Sequence, residues 1–214
     1  TMVVEKDKRF SATIDQDKYI FTTADSYNAI IGSNGRFTVP DVQLNQGIRL
    51  THKYAVDYSN KEQKFLLPNP QTDVTTLEVT VKASPTSTII DTYTKVTDTV
   101  KVTATSKVFF LYEEFDGRYE VQFGDNKVGA RPADGSQVIL TTNISDGQVT
   151  NKAATFQAID LIGGYADVQV VTTTAGYGGA VRESIEEIKY GAPKLYETQN
   201  RAVTSLDYET LIPS

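Results

Sequence analysis

The sequence has no cysteine and no tryptophan, and only one histidine and one methionine in 214 residues. Without cysteine there is no disulfide framework, no thiolate metal site and no thiol nucleophile, and assembly in a reducing cytoplasm is consistent with that. With His52 as the single histidine, a His-based metal site or a Ser-His-Asp triad is hard to build. The lack of tryptophan weighs against a sugar-stacking platform. Long apolar runs are missing too: none approaches the roughly 20 residues of a membrane-crossing helix. No basic start followed by an apolar stretch marks a leader peptide. Positive charge is in short supply, with a net charge of -6 and a pI near 4.9, which makes nucleic acid a poor partner because DNA affinity comes largely from neutralised phosphates. The expectation is no metal, no cofactor, no nucleic acid and no membrane.

What is present is Thr and Val together with 12 Tyr and 9 Phe, residues that suit a pleated, half-buried surface. The fold class expected is mainly β, with β-sandwich-like modules and a small α/β carboxy-terminal segment, a β-dominated α+β chain overall. The divisions read as a β module over 1–83, a connector over 84–106, a second β unit over 107–175, and short helices over 176–214.

Arg9–Thr13 and Lys18–Thr22 alternate around Asp15-Gln16-Asp17, predicting a hairpin. Ser33-Asn34-Gly35 predicts a turn into Arg36–Val39, which Pro40 closes. Gln46-Gly47 turns the chain into a strand over Ile48–Val56. Phe65-Leu66-Leu67 reads as a strand broken by Pro68-Asn69-Pro70. Thr76–Val81 places Leu77, Val79 and Val81 on one face. The Ser- and Thr-rich stretch 83–106 reads as irregular with one more strand, since Ile89-Ile90 and Val100-Lys101-Val102 carry strand propensity. Val108–Tyr112 and Arg118–Phe123 form a hairpin across Asp116-Gly117. Gln137–Thr142 and Val168–Thr172 are further strands.

The period then changes. Ser184 with Glu187 three residues later is a capping-box signature, with Glu186 and Glu187 suiting the helix start. Ala192-Pro193 is expected to stop that helix, and Thr204 with Asp207 opens another. A helix so near Ser214 has little to pack on, and Thr1 precedes Met2, so the chain reads as a fragment of a longer protein.

Four features invite chemistry. Gly176-Tyr177-Gly178-Gly179 before a helix suggests a phosphate cradle, but no Lys-Ser or Lys-Thr follows, and a hinge-like loop explains the glycines. Glu113, Glu114 and Asp116 suggest a cation site but lack calcium-loop spacing, so a solvated hairpin end is the plainer reading. Phe123-Gly124-Asp125-Asn126 is explained by a tight turn. His52 shares the Ile48, Leu50 and Tyr54 side of its strand, where a partly buried, hydrogen-bonded ring is expected. A carboxylate pair for glycoside hydrolysis has no local pattern to mark it.

Several segments, in order, carry a resemblance. Lys64–Asn69, Thr72–Val79, Ser106–Glu114 and Tyr119–Asp125 with Gly129 resemble the ring-forming baseplate wedge proteins of T-even-like contractile-tailed bacteriophages. Glu183–Lys189, Ala192-Pro193, Gln199–Thr204 and Asp207-Tyr208 are similar to the broader baseplate J-like family. Where that family's mid-chain signature has Gly-Asp-Gly, this chain has Asn126 in the third place, a residue that tolerates left-handed backbone. The resemblance implies a middle fragment of a structural protein in the virion tail, assembled in the host cytoplasm. Its implied partners are copies of itself and neighbouring wedge and hub proteins. Gln199, Asn200, Arg201, Thr204, Asp207 and Tyr208 are its candidate assembly residues. The isolated fragment, lacking the bundle-forming and dimerising parts, is expected to be monomeric or weakly associating. The competing readings are a receptor- or glycan-binding β module and a polysaccharide-degrading enzyme.

Overall fold

The computed structural model describes residues 2–97, 99–181 and 183–198. Two compact units divide between Tyr177 and Gly178. The β-dominated reading holds.

The first unit opens with β1 (Val3–Val4), β2 (Arg9–Ile14), β3 (Asp17–Thr23), β4 (Tyr27–Asn28), β5 (Ile30–Ile31), β6 (Phe37–Thr38) and β7 (Leu44–Gln46). The chain then builds β8 (Ile48–Ala55), β9 (Phe65–Leu67), β10 (Thr72–Lys82), β11 (Ile90–Lys95), β12 (Val108–Glu113), β13 (Tyr119–Phe123) and β14 (Gln137–Ile144), and returns with β15 (Phe156–Ala158). Strands β8 to β14 form one seven-stranded sheet, ordered β8-β14-β10-β11-β12-β13-β9, whereas β15 joins β2, β3 and β7 in a four-stranded sheet. The larger body, 48–144, is therefore inserted into a smaller one made from both of its flanks. This corrects the division at 84–106. Strands from 48–82 and from 107–144 share one sheet, and β11, inside the supposed connector, is an interior strand of it. Local alternation marks a strand but not its partner. Val100-Lys101 lies in a short 3-10 turn, Thr99–Lys101, not in a strand.

The inserted sheet curls until its edges nearly meet. The Tyr54 hydroxyl on β8 donates to the Leu66 carbonyl on β9 at 2.5 Å, and Gln63 Nε2 donates to the Ala55 carbonyl at 2.7 Å. Inside lie Leu67, Val79, Val121, Val138 and Leu140, all fully buried. A chain of edge-on rings crosses this core: Tyr54 to Phe65 at 5.8 Å, Phe65 to Phe123 at 5.4 Å, and Phe123 to Tyr93 at 5.1 Å. Such geometry places positive ring edges on negative ring faces. Burial pushes the Tyr54 and Tyr93 hydroxyls above their ordinary pKa.

The smaller body has its own core of Val4, Phe10, Ala12, Phe21, Ala153 and Ile162. Its β2–β3 hairpin pairs Ile14 with Asp17, leaving Asp15 and Gln16 as a two-residue turn, both with positive φ (49° and 79°). Those angles match a type I′ turn, which suits the twist of the strands but strains non-glycine residues. Asp15→Asn with Gln16→Gly is expected to raise stability by roughly 0.5–1 kcal/mol, visible as a higher thermal midpoint. Val168–Thr172 is not a strand. Val168 and Val170 pack on this core as extended chain, so their alternation reports burial without ladder pairing.

In the second unit, α1 (Ile185–Thr198) starts as expected. Ser184 N–H donates to Glu187 Oε2 at 2.6 Å, and Glu187 N–H donates to Ser184 Oγ at 3.3 Å. The helix does not stop at Pro193 but runs through it. Proline there removes one intrahelical donor and crowds the preceding turn, and the surrounding helix absorbs that cost.

Candidate interface between two β bodies

The two bodies meet along an open cleft of about 540 Å³. Arg49, the second residue of β8, is its central side chain, 14% exposed. Its Nε binds Asp7 Oδ1 at 3.0 Å and its Nη2 binds Glu78 Oε2 at 2.5 Å. Lys6 pairs with the other oxygen of Glu78. Asp7 and Lys6 precede β2, while Glu78 projects from β10, so the cluster ties the bodies together.

Asn143, 1% exposed, lies opposite Arg49 in the β8–β14 ladder. Its Nδ2 donates to Thr22 Oγ1 at 3.1 Å and to the Gln46 carbonyl at 3.4 Å. Its Oδ1 has no hydrogen-bond partner among the described residues, which costs about 1–3 kcal/mol for a buried acceptor. Gln46 is clipped in turn: its Oε1 accepts from Ser145 Oγ at 2.7 Å and from Asp146 N at 2.8 Å. Within the small body, Arg9 grips Asp160 through Nη2 at 2.6 Å and Nε at 3.0 Å, while Arg9 N–H donates to the same carboxylate at 2.9 Å.

This arrangement binds and positions. The two carboxylates lining the cleft, Asp7 and Glu78, are both engaged by Arg49, and the hydroxyls beside them belong to Thr22, Thr51 and Thr141. Among the described residues no three His, Asp or Glu side chains gather as a metal site.

The hydrogen bonds from Arg9 hold the Asp160 carboxyl below the ordinary carboxylate range. Bonds from Lys64 do the same for Glu114, those from Ser59 for Asp57, and those from Arg118 for Asp116. A carboxyl whose pKa is depressed in the folded state adds stability above its unfolded pKa and loses it as pH falls through the folded one. Stability should therefore be flat above roughly pH 5 and decline below about pH 4. Asp160→Asn should shallow that acid limb in pH-dependent urea titrations.

The residues singled out from sequence are scattered. Glu114 binds Lys64, Asp116 binds Arg118 at 2.7 Å, and both belong to the solvated end of the β12–β13 hairpin. Asp125 Oδ1 accepts from Lys127 and Val128 N–H at 2.9 and 3.0 Å, and Asn126 takes φ 65°, so the turn forms with asparagine in the third place. His52 is half-buried as expected, but its ring forms no hydrogen bond to the described residues. Gly176 packs against Thr150 and Ala153, its N–H donating to the Ala153 carbonyl at 2.8 Å. Gln199, Asn200, Arg201, Thr204, Asp207 and Tyr208 lie outside the described residues. Sequence reasoning missed Lys6, Asp7, Arg49, Glu78 and Asn143. Their partners lie far away in the chain, and a lone charge at an outward strand position carries no local signal.

No model of a known protein family matches the chain, and no curated protein matches it significantly.

Proposed function

We propose that this chain is a structural piece of a contractile-tail baseplate: a wedge subunit that joins the ring around the central hub and takes part in its rearrangement on sheath contraction. In this reading it is a scaffold, not an enzyme. It sits in the virion tail after assembly in the host cytoplasm, against copies of itself and neighbouring wedge and hub proteins.

The observation that carries the reading is where the segments of the resemblance lie. Lys64–Leu67 is distant in sequence from the hairpin of Val108–Glu113 and Tyr119–Phe123, yet β9 pairs with β13 beside β12. Gly124-Asp125-Asn126 and Gly129 close the turn leaving β13, with Asn126 N–H donating to the Gly129 carbonyl at 3.0 Å. Three of the matched segments thus share one end of the seven-stranded sheet, Thr72–Val79 lies in β10 of the same sheet, and Glu183–Lys189 belongs to the second unit. The charges of the inter-body cleft are also spent on one another, which suits a mechanical part. The test is mass spectrometry of purified tails together with immunogold labelling: the reading expects the chain at the baseplate, in multiple copies per tail. A chain found free of the particle would overturn it.

A second reading, a receptor- or glycan-binding module, draws on Phe115. That ring stands fully exposed at the β12–β13 hairpin tip, where an aromatic face can stack on a sugar. Binding on a glycan array that is lost in Phe115→Ala would favour it.

A further inference from the structure

Two chain crossings join the two β bodies, and they lie side by side. β7 passes into β8 through Gly47, and β14 returns through Ser145 and Asp146. The paired strands end together there, with Ile48 opposite Ile144, and the Gly47 backbone sits directly against the Ile144 carbonyl. A body attached through two adjacent strands can swing about them, limited by whatever contacts lie off that axis.

Those off-axis contacts are polar. Neither buried core contains a residue of the other. The bodies are instead bridged by Arg49 to Asp7, Lys6 to Glu78, and Asn143 to Thr22, while Arg49 to Glu78 is a pair within the inserted body. Glu78 accepts both cations while its side chain stays 45% exposed, so water and salt reach the pairs. The closed joint also buries the Asn143 amide, whose Oδ1 has no partner among the described residues. Each feature weakens closure relative to the apolar packing that holds either body together.

We infer that residues 48–144 swing as one body on the Gly47 and Ser145–Asp146 crossings, and that the Arg49–Asp7 and Lys6–Glu78 ion pairs are the latch holding the closed arrangement. The inference rests on this geometry and is independent of the assembly proposed above. Opening breaks no strand pairing within either sheet, and the buried side chains it separates are the polar Asn143 and Thr22. Such a joint converts a local change in charge pairing into a reorientation of two rigid parts.

The cysteine-free sequence makes the test direct. Lys18→Cys in the small body and Lys127→Cys in the inserted body are exposed labelling positions. Spin labels there report the inter-body distance by double electron–electron resonance on the full chain. At low ionic strength one dominant distance is expected. Glu78→Gln, which removes the crossing pair with Lys6 and leaves Arg49 held by Asp7 alone, should raise the population at a second distance roughly fivefold. Asp7→Asn should move it the same way by less, and about 1 M salt should do so without any substitution. Amide exchange protection at Val79, Val121 and Leu140, and at Phe10 and Phe21, should stay unchanged throughout. An unchanged distance distribution in both variants and in salt would overturn the latch. So would a second distance that appears only with loss of protection in either core, because that is unfolding and not swinging. Should Glu78→Gln fail to fold, Asp7→Asn and the salt titration decide the matter alone.

Discussion

Gly47→Ala is expected to destabilise the chain by about 3–5 kcal/mol, enough to remove the joined fold under ordinary conditions. Gly47 has φ 114°, a backbone conformation that a residue with Cβ rarely adopts. A Cβ built there would lie 2.1 Å from the Ile144 carbonyl oxygen and 2.9 Å from its carbon. Neither atom can yield cheaply, because Ile144 is the last residue of the β8–β14 ladder and its neighbour Ser145 is tied to Gln46. The Gly47 N–H also donates to the Ile20 carbonyl at 2.8 Å, so shifting Gly47 away would break a bond to β3. Urea unfolding followed by circular dichroism reads the loss. A change under about 1 kcal/mol would mean that the crossing is looser than drawn.

Gly124→Ala is the second large effect, with an expected cost of about 3 kcal/mol. Its φ is not the problem; space is. An added Cβ would meet the Gly129 carbonyl oxygen at 2.1 Å, its carbon at 2.3 Å and the Val128 carbonyl oxygen at 2.4 Å. All three are backbone atoms of the loop that Gly124 opens. That loop is fixed by Asp125 Oδ1 accepting two backbone N–H groups and by Gly129 N–H donating to the Thr103 carbonyl at 3.0 Å. The glycine of the mid-chain signature is therefore explained by close backbone approach. Asn126→Gly, by contrast, should change stability by no more than about 1 kcal/mol, since glycine relieves the strain of φ 65° but loses the bond that Asn126 Oδ1 accepts from Arg131 N–H at 2.9 Å. Thermal denaturation of the two variants side by side separates the claims: a mild Gly124→Ala would show that the loop can open without cost.

Local features of the fold were legible. The β2–β3 hairpin announces itself by alternation on either side of Asp15-Gln16, and Leu77, Val79 and Val81 declare the buried face of β10. The Ser184–Glu187 capping box marks the start of α1. In each case the physical cause lies within a few residues of the signal. What was not legible depends on partners distant in the chain. β11 pairs in parallel with β12, Thr94 opposite Val108, and nothing in a Ser- and Thr-rich stretch announces that. The insertion of 48–144 into a body built from both flanks is a matter of pairing between β15 and β2, Phe156 opposite Ala12. Val168 and Val170 alternate because one side is buried, and burial alone does not make a strand. Arg49 carries no local signal on its alternating strand. Only the fold brings Asp7 and Glu78 to it. Pro193 reads as a stop, yet its helix continues, because the cost of one missing donor is smaller than what the remaining turns supply.

We propose that these bodies are parts of a baseplate ring. An electron cryomicroscopy map of the assembled contractile tail tests it most directly. The expected result is that the 48–144 sheet and the small body fit density in a ring around the hub, repeated about the tail axis, with β9, β12 and β13 traceable as neighbours. Density for the chain only at fibre tips, or none in the tail at all, would contradict it.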